Sequence, residues 1–379
     1  MSILINAYQN IPTGFRKILY FHWPLALLLA AVSCIGFLML FSVSGGNFDQ
    51  WAKPQMIRFC IGFVAMVIIG FTPISIWRNI SMPTYIISLA LLLYVEYFGV
   101  SGKGAQRWID LGFIKLQPSE LMKIALIMVI ALYYDWLDSD KISKPLWLIP
   151  PLLLTALPMA LVLKQPDLGT AILLGSGAAV VILLAGVSLW YFLAGVSSIF
   201  GLIYFVIWSK GTSFQILKNY QYRRIETFID PSSDPLGSGY HITQSKIALG
   251  SGGFSGRGYM QGTQSRLNFL PEKHTDFIFT TLAEEFGFVG GITLLTLYIM
   301  IMLCCYLTAM QNHNKYGALL TLGVAATFFF YFCVNMLMVM GLAPIVGVPL
   351  PLVSYGGSAM LVLLGAFGLV QSAHIHRTR

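Results

Sequence analysis

The chain has 379 residues, 57% of them hydrophobic and only 10% charged, with a formal net charge of +8. A soluble domain carries roughly 25% charged residues. This composition therefore excludes a water-soluble globular protein, because too little charge is present to cover a wet surface and lipid must be the solvent.

Apolar spans of about 17–25 residues predict helices near 24–43, 56–73, 84–100, 119–134, 146–163, 168–187 and 189–208. Three more are predicted near 284–309, 316–340 and 353–375. The fold class is thus an all-α integral membrane protein of about ten transmembrane helices, a single polytopic domain over 1–379. One long loop, 209–276, joins the seventh helix to the eighth. The first apolar run is a full span, so no cleaved signal peptide is expected. The five cysteines, Cys34, Cys60, Cys304, Cys305 and Cys333, all fall inside predicted helices and read as packing residues. No Cys/His pattern has metal-site spacing.

An even helix count puts both termini on one side. Eight basic residues then share that side: Arg16, Lys17, Arg78, Lys141, Lys144, Lys315, Arg377 and Arg379. The opposite short loops hold five, Lys53, Lys103, Arg107, Lys115 and Lys164. The positive-inside rule places the termini in the cytoplasm. The long loop, with eight further basic residues, then lies outside. A nucleic-acid partner needs a basic patch in the cytosol, so none is expected. A phosphate-bearing lipid head group at the outer surface fits the charge.

Polar groups are costly at membrane depth, and three constellations need a reason. The first runs from Gly102 through Arg107 and Asp110 to Gln117-Pro-Ser-Glu-Leu-Met-Lys123. Gln117-Pro118-Ser119-Glu120 reads as a helix start, with proline and a carboxylate in the first turn. Glu120 and Lys123 share a face. They read as an ion pair that neutralises Lys123 as it enters the membrane, and, compatibly with that, Arg107 and Lys123 read as facing a cavity and gripping phosphate.

The second is the long loop. Tyr222-Arg223-Arg224 reads as a basic turn along the interface. The glycines of 237–258 serve turns or let the backbone approach a bulky ligand. The third is Leu270-Pro-Glu-Lys-His-Thr-Asp-Phe-Ile-Phe279, running into Glu284 and Glu285. Asp276 stands where water meets membrane, as cap of the eighth helix or as general base or metal ligand. At least one of Glu284 and Glu285 must face protein or water. Between 341 and 358, prolines and glycines break helix at membrane depth, which is tolerated only in buried or cavity-lining backbone.

Five motifs occur in one order: Gly104-Ala-Gln-Arg-Trp-Ile109, Gln117-Pro-Ser-Glu120, Gln165-Pro-Asp-Leu-Gly-Thr170, Leu270 to Phe279 with Glu284-Glu285, and Pro349-Leu-Pro-Leu-Val-Ser-Tyr-Gly-Gly357. With the helix count and the single long loop, they mark a chain that resembles the SEDS family of bacterial cell-wall polymerases. Gly262-Thr-Gln-Ser-Arg-Leu267 and the short tails are similar to its RodA branch, which serves elongation, more than to its FtsW branch, which serves division.

The resemblance implies an inverting peptidoglycan glycosyltransferase that polymerises lipid II and releases undecaprenyl pyrophosphate at the outer face of the bacterial cytoplasmic membrane. It implies a class B penicillin-binding protein as partner. It puts the essential carboxylate on Asp276 and the family's basic and acidic loop residues on Arg107, Glu120 and Lys123. Arg223 and Arg224, by their charge and without a motif match, and His274 are further candidates for binding substrate and pyrophosphate. Glu272, Glu284, Glu285, Asp167, Ser354 and Tyr355 are supporting positions. A divalent cation, Mg or Mn, is the candidate cofactor with Asp276 its candidate ligand, and no organic cofactor is expected. Residue patterns without the resemblance leave the enzyme level with a flippase for the same lipid, and a non-catalytic scaffold for the penicillin-binding protein stands as a further alternative.

Overall fold

The computed structural model describes residues 14–102, 105–110, 112, 115–211, 215, 222, 230, 237–267, 269 and 272–377. Three helices open the chain: α1 (Trp23–Val43), α2 (Ala52–Phe71) and α3 (Ile74–Phe98). A small sheet follows, β1 (Val100–Gly102), β2 (Ala105–Asp110) and β3 (Lys115–Leu116), antiparallel in that order. Then come α4 (Pro118–Trp136), α5 (Pro145–Lys164), α6 (Leu168–Leu184) and α7 (Leu189–Trp208). Between α7 and the next long helix the described residues form α8 (Ser238–Ser251) and the short α9 (Thr263–Arg266). The chain closes with α10 (Ile278–Met310), α11 (Lys315–Val339) and α12 (Gly357–Ile375).

Eight of these helices are long and apolar enough to cross a membrane. Two others stand among them: α6, at 17 residues, and α4, whose 19 residues carry Glu120, Lys123 and Asp135. The three charges are tolerable because α4 is central. Its buried residues run almost without break from Pro118 to Ala131, so its polar groups meet protein, not lipid. By contrast α7 buries no residue at all.

The observed spans depart from the expected ones where a polar turn finds a partner. Helix α3 begins at Ile74, ten residues before the expected 84. Its first turns hold Arg78 and Pro83, which break the apolar run in sequence. Arg78 Nε donates to Asp135 Oδ2 at 2.8 Å, and the Ser81 hydroxyl lies 2.9 Å from that of Tyr316, so the turn stays helical at the end of the bundle. Helix α12 begins at Gly357, after an extended segment, rather than at 353.

Helix α10 begins at Ile278, ahead of the expected 284, and is broken at Gly287 (φ 62°, ψ −155°), a conformation essentially confined to glycine. The break frees carbonyls and N–H groups that lipid cannot satisfy. The glycine-rich 252–258 segment satisfies them. Arg257 N donates to Glu284 O and Gly258 N to Glu285 O, both at 3.0 Å. Phe288 N donates to Gly253 O at 2.9 Å and Val289 N to Phe254 O at 3.2 Å. A Cβ at Gly252 would sit 1.9 Å from Ala283 O, and one at Gly256 would sit 2.1 Å from Glu285 O. Gly252 and Gly256 thus let backbone meet backbone within the protein.

Candidate functional site

One end of the bundle is tied by Arg78 to Asp135, by the Ser372 hydroxyl to Thr72 O at 2.6 Å and by the Asn312 amide to Ala373 O at 3.1 Å. The other end gathers the described parts of the five ordered motifs. There β2, the 165–167 turn, the start of α4, the 272–277 turn and the non-helical 342–356 segment meet.

On α4, Lys123 Nζ donates to Glu120 Oε1 at 2.7 Å and to the Tyr331 hydroxyl of α11, which itself donates to Glu120 Oε2 at 2.5 Å. Glu120 and Lys123 are only 6% and 3% exposed. Each ion would cost several kcal/mol to bury alone. The pair persists because each charge is met by the other and by the phenol. A narrow cavity of about 30 Å³ adjoins it, bounded by Tyr331, Leu350, Ser354 and Met360, with room for about one water.

Arg107, on β2, crosses to the next motif. Its Nε donates to Gln165 O at 3.0 Å, its Nη2 donates to Pro166 O at 2.6 Å, and its Nη1 lies 3.6 Å from Asp167 Oδ2. Asp167 Oδ1 accepts from Thr170 N at 3.2 Å and so caps α6. Gln117 Nε2 reaches Asp167 Oδ2 at 3.4 Å. Thus Arg107, Gln117 and Asp167 lock three motifs together. The donors of Arg107 are directed at the 165–167 turn.

Asp276 sits on a turn held from below. Asn335 Nδ2 donates to Asp276 O at 2.8 Å and to Val348 O at 2.7 Å. The Ser354 hydroxyl donates to Thr275 O at 2.6 Å, and Tyr355 N donates to His274 O at 2.9 Å. Glu272 Oε2 accepts from the Thr275 hydroxyl at 2.9 Å, closing the turn on itself. A Cβ at Gly347 would come 3.6 Å from Asp276 Oδ2, so the missing side chain leaves space beside the carboxylate. Asp276 is partly exposed, whereas Phe277 and Ile278 after it are buried. The N-cap position of α10 is Phe277, which makes no side-chain cap hydrogen bond, and Asp276 precedes it by one residue.

The His274 ring stacks on Trp51 at 4.2 Å, and Trp51 meets Tyr355 edge-on at 4.8 Å. Gln55 Nε2 donates to Ser354 O at 2.9 Å. Burial pushes the Lys273 ammonium below the usual lysine range.

Both carboxylates at 284 and 285 are buried in protein. Glu284 Oε1 accepts from Thr263 N at 2.8 Å, from the Thr263 hydroxyl at 2.9 Å and from Gln264 N at 3.1 Å, which fixes the start of α9. Glu285 Oε1 accepts from the Ser42 hydroxyl. Arg223 and Arg224 lie outside the described residues. The structure thus brings Asp276, His274, Glu272, Ser354 and Tyr355 into one cluster, and Glu120 with Lys123 into a second beneath it.

Sequence reasoning missed Trp51, Gln55, Tyr331 and Asn335. Gln55 and Asn335 had a signal, since an amide within an apolar span asks for a buried partner. Tyr331 did not, being one ring within Phe328-Phe-Phe-Tyr-Phe332.

Among the described residues no three His, Cys, Asp or Glu side chains form a metal-binding group. Mg²⁺ is usually held by one or two carboxylates together with substrate phosphates and waters, not by an all-protein cage. A single partly exposed carboxylate at Asp276, with open space beside it, fits that mode.

The arrangement defines a polytopic membrane protein with a carboxylate-centred site at one end of its bundle. The chain belongs to the cell cycle protein family of FtsW, RodA and SpoVE, whose model matches residues 22–379. Peptidoglycan glycosyltransferase MrdB of Escherichia coli K12 is 42% identical over 352 residues, 93% of this chain and 92% of that protein. Peptidoglycan glycosyltransferase RodA of Treponema pallidum is 32% identical, over 94% of this chain and 98% of that one. Among solved structures, a chain of a peptidoglycan synthase complex, determined to explain how polymerization and crosslinking are coordinated, matches with a TM-score of 0.80 at 29% identity, covering 93% of this chain and 97% of that one. The crystal structure of Thermus thermophilus rod shape determining protein RodA matches with a TM-score of 0.71 at 27% identity, covering 95% of this chain and 98% of that one.

Proposed function

We propose that this chain is a peptidoglycan glycosyltransferase, polymerising lipid II at the outer face of the bacterial cytoplasmic membrane beside a class B penicillin-binding protein, in the service of elongation. The relatives' shared activity supports the reaction. The mounting of Asp276 carries the residue assignment: its backbone carbonyl is clamped by Asn335 while the residue is partly exposed. Both termini lie in the cytoplasm, a placement supported by the eight basic residues on that side against five in the short outer loops.

In this mechanism Asp276 is the general base. A sugar hydroxyl is a poor nucleophile, and a carboxylate within hydrogen-bond reach removes its proton as bonding develops. The 4-hydroxyl oxygen of the acceptor sugar bonds to the anomeric carbon of the donor, its proton passes to Asp276, and the bond from that carbon to pyrophosphate breaks with inversion. Undecaprenyl pyrophosphate leaves with the electron pair. Negative charge builds on it, and cationic groups stabilise that charge.

Lys123 contributes as a fixed buried charge whose field is partly balanced by Glu120. Arg107 contributes by holding the 165–167 turn and by its delocalised guanidinium charge, partly balanced by Asp167. His274, Arg223 and Arg224 complete the substrate-binding set. A bound Mg²⁺ or Mn²⁺ would supply further neutralisation of the departing pyrophosphate, and Asp276 would be its protein ligand in place of the base role.

The test is lipid II polymerisation by the purified protein with its penicillin-binding partner, the transpeptidase blocked and divalent cation supplied. Wild type is expected to make glycan chains, and Asp276→Asn to lose at least about 100-fold in rate while still folding and binding the partner. Equal product from both would remove Asp276 from the chemistry. No product from either would restore the flippase and scaffold readings.

A further inference from the structure

Charges of opposite sign are kept apart at the end of the bundle remote from Asp276. The chain has no Asp or Glu in 1–48 and none in 286–379. The acidic residues described at that end are Asp135, Asp138 and Asp140, at the close of α4 and just after it, where Asp135 pairs with Arg78 and Asp138 with Lys141. The opposite corner, built from the start of α1 and the ends of α2, α10 and α12, has no acidic side chain.

Neutral hydrogen bonds tie that corner together. The His22 backbone exchanges two of them with the Gln371 amide, at 2.9 and 3.2 Å. Lys17 Nζ donates to Phe71 O at 2.8 Å, and Arg377 Nη1 donates to Gln311 Oε1. These acceptors fix both cations in place without neutralising them. The field of the cations reaches the neighbouring histidines. Burial, with the charge of Arg377 adding to it, lowers the pKa of His22, and burial with Lys17 does the same to His376.

The same corner carries an apolar edge. A 3-10 helix, Gly14–Tyr20, precedes α1 and holds Lys17 in its last turn. Phe21 is buried and meets Trp23 edge-on at 5.1 Å and Phe71 at 6.1 Å, which pins the segment against the end of α2. Ile18, Leu19 and Trp23 are left exposed, Leu19 by 82%. The Trp23 indole donates to Ile18 O at 3.1 Å, so its ring is fixed where α1 enters the membrane. Tryptophan and exposed aliphatic side chains beside Lys and Arg make up a segment suited to the head-group layer.

We infer that this corner is a binding site for an acidic phospholipid of the cytoplasmic leaflet, its phosphate drawn to Lys17 and Arg377 and its acyl chains lying over Leu19 and Trp23. Charge selects the occupant. A zwitterionic head group brings a cation of its own, and the corner has no acidic side chain to receive it. An anionic head group brings net charge of the missing sign. The leaflet rests on the cytoplasmic placement of the termini proposed above.

Native mass spectrometry and thermal unfolding of the purified full-length chain test the site, with phosphatidylglycerol and phosphatidylethanolamine as probes. One phosphatidylglycerol is expected to bind at least about tenfold more tightly than phosphatidylethanolamine. Lys17→Gln with Arg377→Gln is expected to weaken phosphatidylglycerol about 25-fold, about fivefold per charge, and to leave phosphatidylethanolamine unchanged. Lys17→Arg with Arg377→Lys is expected to keep phosphatidylglycerol within about threefold of wild type. Leu19→Gln is expected to weaken both lipids by the same factor, because it removes apolar contact and no charge. Phosphatidylglycerol is also expected to raise the melting temperature of wild type, and about 0.5 M salt to cut that rise by at least half. Melting without lipid controls the fold of each variant. Equal affinity for the two lipids overturns the site, as does unchanged phosphatidylglycerol affinity in the double glutamine variant. A melting rise that survives salt overturns it even where a variant fails to fold. A dimer of the chain that dissociates in the double glutamine variant gives the corner to a second copy and overturns the lipid reading. A protease site appended to the C-terminus and cut in right-side-out vesicles, but not in inside-out ones, overturns the placement of the termini and the leaflet alone, since the lipid affinities judge the site.

Discussion

Tyr331 and Asn335 stand one turn apart on α11 and hold the two halves of the site in register. The Tyr331 hydroxyl donates to Glu120 Oε2 at 2.5 Å, and the Asn335 amide donates to the carbonyls of Asp276 and Val348 at 2.8 and 2.7 Å. Residues four apart share a helix face, so one rigid element fixes the buried ion pair and the proposed base together. Val348 also packs against Tyr331, which closes the link through the extended segment.

Asn335→Ala is expected to cost about 2–4 kcal/mol, because two carbonyls lose their donor. Its larger effect is on turnover. The Asp276 turn loses its lower clamp, so kcat falls about tenfold or more while KM for lipid II holds, as for a group that positions the base. Asn335→Asp, which cannot donate in its ionised form, is expected to behave alike. Steady-state polymerisation kinetics with thermal unfolding decide the matter, and an unchanged kcat would detach Asn335 from catalysis.

The Glu120–Lys123 pair is open to a double-mutant cycle. Lys123→Met alone leaves a buried carboxylate uncompensated and is expected to destabilise by about 3–5 kcal/mol. Tyr331→Phe, which removes one hydrogen bond from each partner, is expected to cost about 1–3 kcal/mol. Glu120→Leu with Lys123→Met removes both charges, and stability is expected to return to within about 1 kcal/mol of wild type. Activity is not expected to return with it, because the fixed positive charge is gone. Full activity in the stable double variant would make the pair purely structural.

Much of this fold was legible in the sequence because lipid imposes one rule, that apolar length makes a helix. The motif-bearing turns were legible too, since charge and proline at membrane depth have few bland explanations. Direction was less legible than position. Arg107 and Lys123 look alike as cations near a membrane surface, yet one reaches across to carbonyls at 165 and 166 and the other is sealed between Glu120 and Tyr331. Those partners lie 58, 59 and 208 residues away in sequence, or three residues away in the case of Glu120, and no periodicity encodes the distant ones. The break at Gly287 was hidden because its repair comes from a separate segment, 252–258, whose glycines read as turn residues or as room for a ligand.

That repair gives a graded set of substitutions. Gly253 has φ +56° but open space around its missing Cβ, so Gly253→Ala is expected to cost only the backbone strain, about 1–2 kcal/mol. Gly256 has φ +81° and a Cβ there would lie 2.1 Å from Glu285 O. Gly256→Ala must therefore push the segment off α10, exposing the carbonyls of Glu284 and Glu285, and is expected to yield a protein that neither binds its partner stably nor polymerises. Equal thermal shifts for the two variants would show that the segment is not docked on the helix break.

Lys273 gives a prediction with a defined sign in pH. Burial lowers its folded-state pKa below the ordinary 10.5, so the folded state binds the proton less tightly than the unfolded state. The resulting penalty is fully present at pH values below the folded pKa. It is relieved as pH rises through the window from that lowered value to 10.5, and stability rises with it. Lys273→Met removes the ammonium and keeps the stem. It is expected to leave the protein as stable as wild type or more stable at pH 7, with the advantage shrinking as pH approaches 10.5. If the charge is kept for a phosphate-bearing ligand, the same variant must bind lipid II less tightly, so stability and affinity move in opposite directions. Thermal melts at pH 7 and pH 10 beside lipid II titrations at pH 7 measure both. A variant less stable at pH 7 than wild type would show that Lys273 is held by a favourable partner that outweighs its burial.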